Sequence, residues 1–169
     1  MEVLEALFTR RSVRKYTSQR VEKEVITDLV RSGMFAPSAC NKQPWHFVVI
    51  DDRKILNDIA AFHPNAKMLC DAACAIVVCG DEFKAHDKGY WPVDCSAATQ
   101  CILLAAHAKG LGACWVGIYP REERIAAMKK IMNLPEHIQA FSVISLGYPA
   151  ETPKAANRFD ESRIHWNGW

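Results

Sequence analysis

No sign of charge dominates this chain of 169 residues: 21 lysines and arginines stand against 19 aspartates and glutamates, for a formal net charge of +2. There is no long-range field to gather nucleic acid, so any basic cluster must act locally. The sequence also lacks internal repeats, low-complexity blocks and any linker that would separate one domain from another, which leaves a single domain over residues 1–169. No apolar run is long enough to span a bilayer and no secretory leader is evident, so the expectation is a cytoplasmic protein without a membrane partner. Cysteines occur at positions 40, 70, 74, 79, 95, 101 and 114, but none form a Cys-x-x-Cys pair and no histidine lies at zinc-finger spacing. Reduced thiols inside apolar stretches are therefore expected, and no metal or cluster site.

Half of the residues are hydrophobic, enough for a core of ordinary size. "EVLEALFTR" carries Val3, Leu4, Leu7 and Phe8 at helical spacing, and "EKEVITDLVRSGMFA" repeats the pattern with Val25, Ile26, Leu29, Val30 and Met34 before Pro37 stops it. "WHFVVID", "AACAIVVCGD" and "HIQAFSVISLGY" read as three buried strands. Between the last two lie "DCSAATQCILLAAHAKGLG", a long helix with Asp94 as its N-cap and a stop at Gly110 and Gly112, and "REERIAAMKKIMN", an amphipathic helix opened by Pro120. The order of elements predicts an α+β fold, a sheet covered by helices. Ala97, Ala98, Ala105, Ala106 and Ala108 leave little bulk on the long helix, which suits the central core helix of a monomer and equally a close dimer contact.

Two stretches carry recognition chemistry. "RRSVRKY", read as extended chain after the first helix, turns Arg10, Ser12 and Arg14 one way and Arg11, Val13 and Lys15 the other. Two guanidinium groups and a hydroxyl on one side suit a phosphate or another planar anion, although a solvated basic turn would show the same residues. In "APSACNKQPWHFVVI", Pro37 and Pro44 stiffen the backbone around Ser38, Asn41 and Gln43, which fits either a recognition loop or an ordinary connection from helix to strand. Trp45, His46, Phe47 and His107 are expected in the core, Cys40 as a small filler, and Tyr90 and Trp91 in a loop that lines either a pocket or a core contact.

Taken together, these stretches resemble the FMN-dependent nitroreductase family, whose signatures are a basic RRSxR turn and a later APSxxNxQPW segment. The likeness continues through "GLGACWVGIYP" and "SLGYPAETPKAANRF", and "RFDESRIHWNGW" resembles the tail of the short members; the extra helices of longer relatives are absent. The resemblance implies a nitroreductase-type fold with a central, mostly antiparallel sheet, in an interwound homodimer that exchanges C-terminal tails. It further implies FMN as cofactor, NAD(P)H as electron donor, and reduction of a small-molecule acceptor (a nitroaromatic, quinone or flavin-like compound) by ping-pong transfer through flavin N5. No side chain is expected to be catalytic, since the flavin carries the chemistry. By the family pattern Arg10, Arg11 and Arg158 serve the phosphate, with Lys154 as a further candidate; Ser12 serves the ribityl chain, and Arg14 the N1 and O2 edge. Pro37, Ser38, Ala39 and Asn41 match the segment that arrives from the other subunit, while Trp115, Val116 and Gly117 run past the reactive face, with the Gly117 N–H toward N5. Asn65 is a further possible contact by the same pattern. The alternatives within this resemblance are a cousin doing reductive dehalogenation or flavin fragmentation, or a flavin-binding module without turnover.

Overall fold

The computed structural model describes residues 1–87 and 89–169. Its sheet is built from β1 (Trp45–Ile50), β2 (Cys74–Asp81), β3 (Gly112–Gly117) and β4 (Ile138–Gly147), in the order β1-β2-β4-β3, with every neighbouring pair antiparallel. The central strand β2 is buried along its whole length. That explains its unbroken apolar run, because successive side chains point to opposite faces and both faces are covered. Val77, Cys79 and Val143 enter one core with Leu56 and Met128; Ile76, Val78 and Ile144 enter the other with Leu29 and Ile102.

The first of those cores is covered by α3 (Arg53–Phe62) and α5 (Glu122–Met132), the second by α2 (Lys23–Met34) and α4 (Tyr90–Ala108). Asp52 caps α3 by accepting the Ile55 N–H at 3.0 Å. Glu122 and Glu123 begin α5 and Lys129 and Lys130 end it, charges that suit the helix dipole, before Asn133 turns left-handed at φ 49°. Pro37 lies just beyond the end of α2. The long helix is confirmed as the central core helix: a Cβ on Gly33 of α2 would lie 2.9 Å from Ile102 Cδ1, so α2 lies close against α4.

Several expectations need correction. The long helix begins at Tyr90, so Tyr90 and Trp91 belong to its first turn and Asp94 is a buried side chain within the helix, not its N-cap. Pro92 is tolerated there because first-turn amides have no intrahelical acceptor. Gly110, at φ +77°, does follow the helix end, but Gly112 is the first residue of β3. The sheet therefore has a fourth strand, and α3 is a further helix that periodicity had not marked. His46 is not a core residue: its ring is exposed and stands 3.6 Å from the Asp81 carboxylate.

Apolar residues also remain outside the core of the chain. On α1 (Val3–Thr9) Ala6 is buried, while Val3, Leu4, Leu7 and Phe8 are exposed. After Gly147 the chain forms no further strand or α-helix among the described residues, only a short 3-10 turn at Glu161–Arg163, and Phe159, Ile164, Trp166 and Trp169 are exposed on it. Among the described residues, no helix is long and apolar enough to cross a membrane.

Candidate functional site

The basic stretch leaves α1 in extended conformation and lies along the outer edge of β3. Val13 N–H donates to the Ala113 carbonyl at 3.0 Å, and Ser12 forms a parallel bridge with Ala113. Burial of Val13 turns that side of the segment into the core. The fit depends on Gly112, where an added Cβ would fall 2.7 Å from Val13 Cγ1. Tyr16 anchors the far end: its hydroxyl donates to the Val13 carbonyl and accepts from Ser145 Oγ, each at 2.7 Å. Burial pushes the Tyr16 pKa well up, keeping that hydroxyl protonated.

Three guanidinium groups meet where this segment starts. Burial first, then the charges of Arg158 and Arg11, lower the Arg10 pKa. Arg11 is largely spent on backbone: its Nη atoms donate to the carbonyls of Phe8 (2.8 Å), Arg10 (2.7 Å) and Ala156 (2.9 Å). It thus ties the C-terminal segment to the N-terminal one. His107 lies beside this cluster, not deep in the core. Thr9 Oγ1 donates to the Glu5 carbonyl and so accepts from His107 Nε2 at 2.8 Å. Burial, and next the Arg10 charge, lower the His107 pKa.

Further along the same edge a cavity of about 560 Å³ opens, walled by Arg14, His63, Asn65, Lys67, Trp115 and Gly117, with Arg124 and Val116 also contributing. Ile118 N–H bonds to the Phe141 carbonyl at 3.1 Å, which makes 118–141 a hydrogen-bonded pair of the ladder. Gly117, opposite Ser142, is then in a non-hydrogen-bonded pair, and its N–H and C=O turn to the free edge. The carbonyl accepts from His63 Nε2 and from Arg124 Nη1, both at 2.9 Å. A Cβ on Gly117 would meet nothing within 4 Å. Three cations and an edge amide around one cavity can hold a planar heteroaromatic group and stabilise negative charge on it. A larger groove of about 1000 Å³ lies elsewhere, along Thr17–Lys23 and Cys70–Cys74, and its Arg53 is already engaged by the carbonyls of Leu69, Cys70 and Ala72.

The structure therefore brings Arg14, Trp115, Val116 and Gly117 together, and separately Arg10 with Arg158. It does not bring Pro37, Ser38, Ala39 and Asn41 to the cavity. Their loop sits against the start of α4, where Ala39 N–H donates to Asp94 Oδ1 at 2.9 Å. Cys40 (φ 48°), Asn41 (φ 54°) and Gln43 (φ 49°) are left-handed there, a costly conformation for residues with a Cβ. Cys40 is exposed and fills no gap. Trp91 is buried and packs edge-on against Tyr119 at 4.9 Å, while Tyr90 is exposed. Sequence reasoning missed His63, Lys67 and Arg124. Arg124 was visible only as one charge of an amphipathic helix, and His63 and Lys67 lie in the unread region around α3. Among the described residues, no group of three or more His, Cys, Asp or Glu side chains could hold a metal.

Comparison with known proteins identifies the family and the fold. The profile of the Nitroreductase family matches residues 7–63 and 60–148. A protein of Methanothermobacter thermautotrophicus with the provisional name NADH dehydrogenase/NAD(P)H nitroreductase is 47% identical over 169 residues, covering 100% of this chain and 88% of its own. The crystal structure of a protein of the same provisional name from Parabacteroides distasonis superposes with a TM-score of 0.96 at 46% identity, over 99% of this chain and 98% of that one. An FMN-dependent nitroreductase from Clostridium difficile superposes with a TM-score of 0.91 at 30% identity, over 98% and 99% of the two chains. With the basic segment, the β3 edge and the sheet order all in place, this chain belongs to the nitroreductase family.

Proposed function

We propose that this protein is an FMN-dependent NAD(P)H oxidoreductase that reduces small acceptors such as nitroaromatics, quinones or flavins. The observation that carries this reading is the convergence of Arg14, Lys67, Arg124 and the free Gly117 amide on one cavity at the β3 edge. The residues present fit the cofactor. Arg10 and Arg158 would hold the phosphate, Ser12 the ribityl chain, Arg14 and Lys67 the N1 and O2 edge, and the Gly117 N–H would face N5. Bound FMN supplies hydride acceptance from a nicotinamide and electron delivery to an acceptor. The protein's role is to orient the ring and to place positive charge where reduction makes it negative. Purified protein should be yellow, release FMN and not FAD on denaturation, and oxidise NADH or NADPH anaerobically when a nitro compound or quinone is present. A colourless protein that FMN cannot reconstitute would overturn the assignment. With one open face serving both substrates, initial rates should give parallel double-reciprocal lines.

The working unit is proposed to be a homodimer. The Pro37–Asn41 loop is built and strained yet remote from its own chain's cavity, as suits a segment that completes a partner's site. The exposed apolar residues of α1 and the exposed Trp166 and Trp169 supply surface for an exchanged tail. Deleting the residues after Asp160 should lower both the dimer fraction by light scattering and the FMN content by absorbance. Retention of both would count against the exchange.

A further inference from the structure

We propose that His63 and Arg124 act as a two-donor clamp on the Gly117 carbonyl, a positioning device that fixes the direction of the free Gly117 amide into the cavity. The inference rests on the cofactor reading above. Gly117 closes β3, and just beyond it the ladder ends: Ile118 and Tyr119 both donate to the one carbonyl of Phe141, at 3.1 and 3.0 Å. Gly117 has no side chain to pack, and a Cβ there would have no neighbour within 4 Å. Glycine is the residue whose backbone is most costly to immobilise, so an amide with a job at this point needs an external constraint.

That constraint comes from two elements on either side of the cavity. His63, at the end of α3, is almost wholly buried, and Nε2 meets the Gly117 carbonyl at 2.9 Å. Its other nitrogen, Nδ1, lies 3.1 Å from the Asn65 amide, which can only donate. Nδ1 must therefore accept, the ring proton resides on Nε2, and Nε2–H donates to the carbonyl. Arg124, from α5, adds a charged donor at 2.9 Å. Together they use both lone pairs of one oxygen. In an extended strand the N–H and C=O of a residue point to the same side, so holding the carbonyl also holds the amide. Neither residue needs to touch the substrate.

The test has one arm with cofactor and one without. In FMN-free protein, nitrogen NMR should show His63 as the Nε2–H tautomer, and Arg124→Met or His63→Phe should shift the Gly117 amide resonance. In FMN-loaded protein, each variant should slow flavin reduction by NAD(P)H about tenfold, the scale expected when a reacting geometry loosens. The FMN Kd should change by a smaller factor than the reduction rate, because the phosphate contacts are elsewhere. His63→Gln, which keeps one donor and one acceptor, should recover much of the rate. Arg124 is only half-buried, so its variant tests the clamp even if His63→Phe fails to fold. An unmoved Gly117 resonance with an unchanged reduction rate would overturn the clamp, as would losses confined to melting temperature. Wild-type protein that binds no FMN would instead sink the cofactor reading, and the cofactor-free arm would still decide whether the clamp exists.

Discussion

The carboxylate of Asp94, in the second turn of α4, accepts the N–H of Ala39 at 2.9 Å across 55 residues of sequence. Asp94 is 3% exposed, and its second oxygen is buried with no hydrogen-bond partner among the described residues. One hydrogen bond to a charged acceptor thus tethers a loop with three left-handed residues, Cys40, Asn41 and Gln43, to the start of the central helix. Asp94→Ala should destabilise the protein by about 1–3 kcal/mol, since it leaves a half-buried amide without a partner. Asp94→Asn keeps the acceptor oxygen and should cost less. Urea midpoints for the two variants check the ranking, and equal losses would show that the bond to Ala39 is not what matters.

Gly112 and Gly117, at the two ends of β3, should respond oppositely to the same change. Gly112→Ala drives a Cβ to 2.7 Å from Val13 Cγ1, so the segment bearing Ser12 and Arg14 must move. A stability loss of about 1–3 kcal/mol is expected, as for overpacking elsewhere, with weaker FMN binding. Gly117→Ala meets no atom of the described residues within 4 Å and should leave the melting temperature unchanged or slightly raised. A fall in FMN affinity or reduction rate in Gly117→Ala, without a fall in stability, would register close approach of the ring to that backbone.

The thiols should divide by burial. Burial pushes the Cys74 and Cys79 pKa values up to about 12 and raises that of Cys95 further, so these three stay protonated at neutral pH. Cys40 and Cys70 are exposed. Iodoacetamide at pH 8 should alkylate Cys70 in native protein and reach Cys74, Cys79 and Cys95 only after denaturation. Peptide mapping by mass spectrometry separates the two classes, and native labelling of Cys79 would mean that the β2 core opens.

His107 should make the apo protein acid-sensitive in a defined direction. Burial, Arg10 and Arg11 lower its folded pKa below the unfolded value of 6.5, with only Glu5 opposing them. Between the two values the unfolded state binds more protons, so stability rises with pH there. The contribution is therefore present above about 6.5, declines as the pH falls toward the folded pKa, and is constant below it. Denaturation curves at pH 7.5 and 5 should differ less in His107→Gln than in wild type. A proton NMR titration placing His107 above the free imidazole value would contradict the assignment.

The local signals were sufficient for much of this protein. Apolar periodicity marked α2, α5, β1, β2 and β4 because those segments bury one stripe or both faces, and it marked α1 by the same spacing although its apolar stripe is exposed. The RRSVR turn and the GACWVG stretch put Arg14 and Gly117 at one site by resemblance alone, and the same cavity holds both. The start of α4 was misjudged because Asp94 has the residue type of an N-cap, and only the packing shows it buried and turned to Ala39. The exposed β3 edge was likewise beyond reading, since which of its amides are free depends on register with β4. His63, Lys67 and Arg124 come from α3, the turn after it and α5, elements far apart in the chain. Their meeting around one cavity, with His63 and Arg124 on the Gly117 carbonyl, follows from how helices fold back over a sheet edge, and no spacing along the sequence encodes a distance that only long-range packing creates.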